Sequence, residues 1–363
     1  MTTHSLTAAP APLTPATGVV VGVDTHSDMH VAVALDGLGR RLGELAVPTT
    51  LTGSQQLERW AGGLGPITAF GVEGTGSWGA NLTRYLREQG HDVIEVNRPD
   101  RSTRRRLGKS DSADAEAAAR SLLAGTATAT AKALDGHVEM IRSLHLVRRS
   151  AQKARRQAAN QLHALVVTAP DRLRDQLRAL PIDKLVALAL SWRPGSAPSS
   201  LSTASKLAIR SLARRYRTLS EEIRDLDRSL TALINAVAPQ LLAVKGLGPH
   251  TSAVLLIAVG DNPERLRSES AFAHLCGAAP IPASSGKTIR YRLNRGGDRQ
   301  ANYALYILAV TRMAWDPTTK AYVARRTTEG KTKKEIVRCL KRHIAREIYK
   351  LLTAPRPTLA ATG

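Results

Sequence analysis

Residues 18–36, GVVVGVDTHSDMHVAVALD, hold two β-branched runs separated by a polar stretch, a pattern that predicts a hairpin. A third strand is expected near 40–47. The spacing then predicts a helix around 53–62, a buried strand at 67–73 (ITAFGVE) and a helix at 77–89. A further strand, HDVIEV at 91–96, precedes a basic loop and a helix from 111 to about 124. Strands alternating with helices argue an α/β sheet domain.

From about residue 136 the pattern changes to long helices. Leu212, Leu219, Leu226 and Leu233 recur every seven residues, and Tyr216, Ile223, Leu230 and Val237 recur with them at an offset of four. This a/d seam predicts a coiled coil or long helical hairpin, either folded on its own chain or joining two chains. The segment 140–167 is the expected partner, with Ile141, Leu144, Ala151, Ala154, Ala158 and Leu165 on one side. WRPGSAPSS at 192–200 reads as the connecting loop. At 241 a third unit begins with LLAVKGLGPHTSAVLLIAVG, where Gly246 and Gly248 separate two short helical patterns as in a helix-hairpin-helix. Such a turn suits a phosphate, and an ordinary helix C-cap fits the same glycines.

Charge changes this picture. The 363 residues carry a formal net charge of +22, which points to an anionic polymer as partner. The surplus is spread over three places. RPDRSTRRRLGK at 98–109 contains Arg104, Arg105, Arg106 and Lys109, and the run 142–156 contains Arg148, Arg149 and Lys153. Residues 287–350 hold 17 Lys and Arg against 5 Asp and Glu, with Lys287, Arg290, Arg292 and Arg295 leading. Cys276 and Cys339 offer neither a disulfide framework nor zinc spacing and read as buried thiols in a reducing compartment. No apolar run approaches the roughly 20 residues that cross a membrane. Residues 1–17 read as a disordered lead-in without signal-peptide character, 355–363 as a disordered tail, and the protein as cytoplasmic and nucleoid-associated.

Four acids stand out against this basic background. Asp24 follows the strand VVVGV, Glu73 ends ITAFGV, and Asp111 and Asp114 open the helix SDSADAEAAAR. Residues three apart on a helix share a side, so both aspartates can face the carboxyl edge of the sheet. Converging carboxylates are what divalent cations require. Taken singly, each acid has a plainer reading as a turn, strand-end or helix-start residue. Gly74, Gly76 and Gly79 also match a dinucleotide-binding G-x-G-x-x-G, but the motif does not follow the first strand and Glu73 would sit beside the pyrophosphate.

Asp24, Glu73, Asp111 and Asp114 resemble the D-E-D-D pattern of a RuvC-like, RNase H-like domain. GLGPHTSAVLLIAVGDNPERLRSESAFAHLCGAAPIPASSGK resembles the C-terminal domain of the DEDD insertion-sequence transposases, the recombinases related to Piv invertase. Both halves come in the family's order, separated by a helical insert, over roughly residues 18–350. The resemblance implies an RNase H-like catalytic domain at 18–130, a coiled-coil or oligomerisation region at 131–240 and a mainly helical serine transposase domain at 241–354. It further implies Mg²⁺ on the four acids and a serine nucleophile that joins covalently to DNA. Element ends and target would be the DNA partners, a structured bridge RNA the guide, and a homodimer or homotetramer the assembly. Gly277, Pro280, Ser285 and Gly286 fit the family's spacing, so the nucleophile falls on Ser285 rather than its neighbour Ser284. Gly297 and Asp298 resemble a further Gly-Asp step.

The chemistry is coherent with that resemblance. A serine hydroxyl needs a base, a metal or positive neighbours, and no histidine adjoins Ser285 in sequence. A metal-only junction nuclease, an invertase without an RNA guide and a non-enzymatic nucleic-acid-binding protein are the alternatives. Aromatic residues make up 4% of the chain, so base stacking is not the expected general mode of binding, and backbone contacts by Arg and Lys are.

Overall fold

The computed structural model describes residues 18–97, 110–193, 195 and 199–354. The chain divides into two compact units: Met1–Gly136 with Val259–Arg267, and His137–Ala258 with Ser268–Gly363. A mixed α/β sheet dominates the first, and the second is mainly helical.

In the first unit β1 (Val19–Thr25), β2 (Met29–Leu35) and β3 (Arg41–Pro48) form an antiparallel meander. α1 (Leu51–Leu64) then leads to β4 (Ile67–Glu73), which lies parallel to β1. α2 (Ala80–Glu88) leads to β5 (Val93–Val96), parallel to β4. α3 (Asp111–Leu123) and a two-residue strand, β6 (Ala129–Thr130), complete a sheet of order β3-β2-β1-β4-β5-β6. Residues 77–79, expected in the second helix, form turns, and β6 is too short to carry a periodic signal.

Alternation along β1 and β4 divides the core. Val19, Val21, Val23, Phe70 and Val72 pack with Leu57 and Ala61 of α1 and with Leu82 and Leu86 of α2. Val20 and Ala69 point the other way, against Ala115, Ala119 and Leu122 of α3. The sheet is thus covered on both faces, which its near-continuous apolar central strands require. Asn262, buried, closes the unit: its Oδ1 accepts from Ala133 N at 3.0 Å and its Nδ2 donates to Ala131 O at 3.0 Å.

The second unit is built on α4 (His137–Val167) and α7 (Leu201–Val237), which pack on one another, with α5 (Asp171–Leu177) and α6 (Ile182–Ser191) between them in sequence. The buried line of α7 runs through Ile209, Ala213, Ile223, Leu230, Ile234 and Val237. Leu212, Leu219, Leu226 and Leu233 flank that line half-buried, so the offset row rather than the leucine row is the deeper seam. α8 (Pro239–Leu242) and α9 (Pro249–Val259) follow, then α10 (Glu269–Leu275), a hairpin of β7 (Ile281–Pro282) and β8 (Tyr291–Arg292), α11 (Arg299–Trp315), α12 (Pro317–Thr328) and α13 (Lys333–Leu352). Gly246, at φ +93°, turns the chain between α8 and α9 against Leu308 and Thr311 of α11. Among the described residues no helix is long and apolar enough to cross a membrane.

Candidate functional site

β1 and β4 are parallel, so their carboxyl ends share one edge of the sheet and carry Asp24 and Glu73 there side by side. Both strands have a glycine two residues before the acid, GVD at 22–24 and GVE at 71–73, hence on the same face as the acid. A Cβ on Gly22 would lie 2.0 Å from the Ala115 carbonyl oxygen and 2.3 Å from the Ala119 nitrogen. One on Gly71 would meet Leu122 at 3.0 Å. The two glycines therefore let α3 lie directly on the sheet, and its first turn comes down over the two strand-end acids.

α3 starts where it does because Ser110 caps it, its Oγ accepting from Ala113 N at 3.2 Å. Arg41 of β3 donates to Ser112 Oγ at 2.9 Å and that hydroxyl donates to Glu44 at 2.8 Å, tying the helix start to the sheet. Asp114 is buried beside Asp24 and Glu73, whereas Asp111 stays exposed. Of the three buried carboxylates, Asp24 feels the other two. Burial raises the Asp24 carboxyl above its ordinary value; His26 opposes this, and Glu73 and Asp114 add to it by repulsion.

His26 completes the arrangement and carries no sequence motif. Its Nε2 lies 3.1 Å from Asp24 Oδ2 and 3.3 Å from Asp111 Oδ1, bridging the buried acid to the exposed one. Asp24, His26 and Asp111 each offer a ligand atom, all within 4.8 Å of one another. Two carboxylates and an imidazole within this distance form a donor set that can hold a divalent cation. The signal for His26 was its place in the turn DTHSD, two residues past a strand-end acid.

Ser285 lies in the second unit, at the tip of the β7–β8 hairpin. Its backbone pairs with Thr288, N to O at 3.2 and 3.1 Å, around Gly286 at φ +56°, a conformation that favours glycine. The neighbouring serines differ. Ser284 Oγ accepts from Arg290 N at 3.1 Å and so is tied into the hairpin, while the Ser285 side chain is exposed. The register pairs Ser285 with Thr288, Ala283 with Arg290 and Ile281 with Arg292. Cross-strand partners share a face, so Arg290 and Arg292 lie on the Ser285 face and Ser284 on the opposite one. The hairpin base is clamped. A Cβ on Gly297 would lie 2.4 Å from Gly277 N, and Asn302 Nδ2 donates to the carbonyls of Cys276 and Gly277 at 2.7 and 3.0 Å. Asp298 caps α11, accepting from Gln300 N and Ala301 N.

The basic residues separate by environment. Arg104, Arg105, Arg106 and Lys109 lie outside the described residues. Lys287, Arg290, Arg292 and Arg295 are exposed on or beside the serine hairpin. Arg149 and Lys153 are exposed and line, with Arg156, Arg299 and Tyr303, a groove of about 780 Å³ between α4, α9 and α11. Arg148 is set apart: its side chain is only 12% exposed and pairs with Asp227 of α7, Nε to Oδ1 at 2.5 Å, so its guanidinium joins two helices. Cys276 is buried as expected; Cys339 is partly exposed, and there the buried-thiol reading does not hold.

Two family models match the chain. A DEDD transposase model of the IS110 type covers residues 21–169, and that of the transposase IS116/IS110/IS902 family covers 238–324. The first takes in Asp24, Glu73, Asp111 and Asp114, and the second takes in Ser285. Among curated relatives, an insertion element IS110 protein of 43.6 kDa from Streptomyces coelicolor is 34% identical over 129 residues, 35% of this chain and 32% of its own. An insertion element IS900 protein of 42 kDa from Mycobacterium paratuberculosis is 28% identical over 39% of this chain and 36% of its own. The pilin gene-inverting protein of Moraxella bovis is 30% identical over 150 residues, 39% of this chain and 46% of its own. The matches thus span from about a third to under half of these relatives' length. With both models falling in family order along a chain that carries the acids and the serine hairpin, the chain belongs to the IS110 family of insertion-sequence transposases.

Proposed function

We propose that this chain is a DNA transposase and recombinase that cuts and rejoins strands through a phosphoserine–DNA intermediate on Ser285. The observation that carries the reading is the convergence of Asp24, Glu73 and Asp114 at one sheet edge, with His26 and Asp111 closing it, in a chain of net charge +22. Such a concentration of carboxylate suits divalent metal beside a phosphate, and Mg²⁺ is the ion we assign. Asp24, Glu73, Asp111 and Asp114 would hold it, and when bound it supplies Lewis-acid polarisation of the scissile phosphate.

The residues of the chain do the rest. Ser285 Oγ forms the new bond to phosphorus, the bond from phosphorus to one deoxyribose oxygen breaks, and that oxygen takes up the proton lost by the serine. Attack by the hydroxyl of a second strand reverses the exchange, with no net hydrolysis. Arg290 and Arg292, on the face of Ser285, offset charge developing on the phosphate. Lys287 and Arg295, with Arg149, Lys153, Arg104, Arg105, Arg106 and Lys109, would hold nucleic-acid backbone; we do not extend this to Arg148. Inversion of a pilin gene, for which the Moraxella relative is named, needs an exchange of strands of this kind.

We also assign an RNase H-like fold to 18–130, which the antiparallel meander continued by parallel strands supports. The long helices within 131–240 are read as a coiled coil that serves oligomerisation to a dimer or tetramer, and 241–354 as the serine domain. A guide RNA, element-end and target DNA as partners, and a cytoplasmic, nucleoid-associated location complete the reading.

Incubation with labelled element-end DNA, quenched in SDS, tests it. The wild-type chain and Ser284→Ala should trap a covalent adduct that Ser285→Ala does not form. Cleavage that survives Ser285→Ala without an adduct would instead identify a metal-only nuclease. Unchanged DNA binding with no cleavage in any variant would identify a binding protein. RNA that copurifies when the flanking element is co-expressed tests the guide.

A further inference from the structure

In the second unit a pocket of about 930 Å³ opens between the Gly277–Pro280 turn, the base of the β7–β8 hairpin, and α11, α12 and α13. Arg295, Arg299, Lys331, Arg338 and Lys341 line it, and none of the five is ion-paired among the described residues. The other two guanidiniums on its wall are engaged, Arg326 with Glu329 and Arg342 with Glu269. Glu335, the carboxylate on the wall, is turned into the capping box of α13, accepting from Thr332 N at 2.8 Å and from its Oγ1 at 2.7 Å. Positive charge is therefore concentrated in a concave site, where Glu335 is the carboxylate that offsets Lys331 and Arg338 in part.

The site is also built. Lys341 Nζ donates to Asn302 Oδ1 at 3.0 Å, and Asn302 in turn holds the carbonyls of Cys276 and Gly277. Burial and the neighbouring Arg338 push the Lys341 ammonium below its ordinary value, a strain that a bound anion relieves. Not all of the wall is polar. Pro280, Tyr291 and Leu293 face the same space, and Tyr291 and Leu293 are among the chain's exposed large apolar side chains. Cations beside an exposed aromatic ring are the combination that holds backbone phosphates and stacks an unpaired base. A pocket of this size lies within the range, about 300–1,000 Å³, that encloses a small ligand. A duplex, with a major groove alone about 12 Å wide, does not enter it.

We infer that this pocket binds an unpaired segment of polynucleotide strand, its phosphates on Arg295, Arg299, Lys331, Arg338 and Lys341 and a base against Tyr291. The inference deepens the strand-exchange reading, because a strand opened at the hairpin must be retained until it is rejoined. It does not require Ser285 to react.

Cys339 lines the pocket and is partly exposed, whereas Cys276 is fully buried, so thiol labelling reports on this site. Full-length protein should be labelled with a maleimide alone, with a thymidine oligonucleotide, with an RNA oligonucleotide, with duplex DNA and with inorganic phosphate. Single strands at ten times their dissociation constant should slow Cys339 labelling about tenfold. Duplex and phosphate should leave it nearly unchanged, and the DNA and RNA arms rank the two sources. Ser285→Ala should be protected equally, which separates failure here from failure of the serine chemistry. Lys331→Ala with Arg338→Ala should weaken single-strand binding about tenfold. The same variant should lower the log–log salt slope by about 1.4, at roughly 0.7 for each lost phosphate contact. Equal protection by duplex, or no protection of the wild-type chain by either single strand, overturns the inference even where the double variant does not fold.

Discussion

His145 of α4 and His250 of α9 stack with ring centroids 4.9 Å apart, and Nε2 of the first lies 2.9 Å from Nδ1 of the second. Burial pushes both imidazoles down, His145 to about 4, with Arg148 and Arg149 adding repulsion to both, His250 adding it to His145, and Asp227 opposing it. In the unfolded chain both titrate near pH 6.5. Between about pH 6.5 and 4 the unfolded chain thus binds more protons, so stability rises with pH across that window and is lost on acidification. Chemical denaturation at pH 7 and pH 4.5 should show a loss on the order of 2 kcal/mol, and His145→Gln should flatten the dependence. At the same scale, residue types in the candidate site were legible and their partners were not. Asp24, Glu73, Asp111 and Asp114 could be picked out because strand ends and a helix start are local signals. His26 could not, because a turn histidine acquires meaning only from the Asp111 that folding brings to it. The Arg148 guanidinium looked free for the converse reason: Asp227 is 79 residues away along the chain.

Among the elements, α3 depends most on its neighbours. Its sequence signals a capped helix with two acids in its first turn, but nothing local says which strand it crosses or how closely. Gly22 decides that. A methyl group there would press on the backbone of Ala115 and Ala119, so the helix itself would have to move. Gly22→Ala should destabilise the protein by about 1–3 kcal/mol in thermal unfolding. It should also lower strand cleavage sharply although every acid is retained; full cleavage in a folded Gly22→Ala protein would show that the α3 contact does not set the site. The helical elements repeat the lesson. The seven-residue repeat of α7 marked two rows, and in the folded unit the offset row is the deeper seam. The leucine row is left half-buried.

At the scale of the molecule, the acids belong to one compact unit and the serine to the other. The proposed strand exchange needs both at one phosphodiester, and either one chain or two can supply them. Mixing Asp24→Ala with Ser285→Ala protein distinguishes these. Recovered strand transfer in the mixture, from two proteins each inactive alone, would show that acids and serine act across chains. A mixture that stays inactive places both in the same chain. Sequence by itself determined the alternation of strands and helices, the long helical stretch, the family and the chemical types at the site. All of these rest on periodicity and short motifs, which the backbone expresses locally. Tertiary structure alone decided that Gly22 and Gly71 seat α3 on the sheet, that His26 bridges Asp24 and Asp111, that Ser284 is tied while Ser285 stands free, and that Arg148 pairs with Asp227. These outcomes depend on which distant backbone or charge lies within a few ångströms, and that proximity is created only when the chain packs.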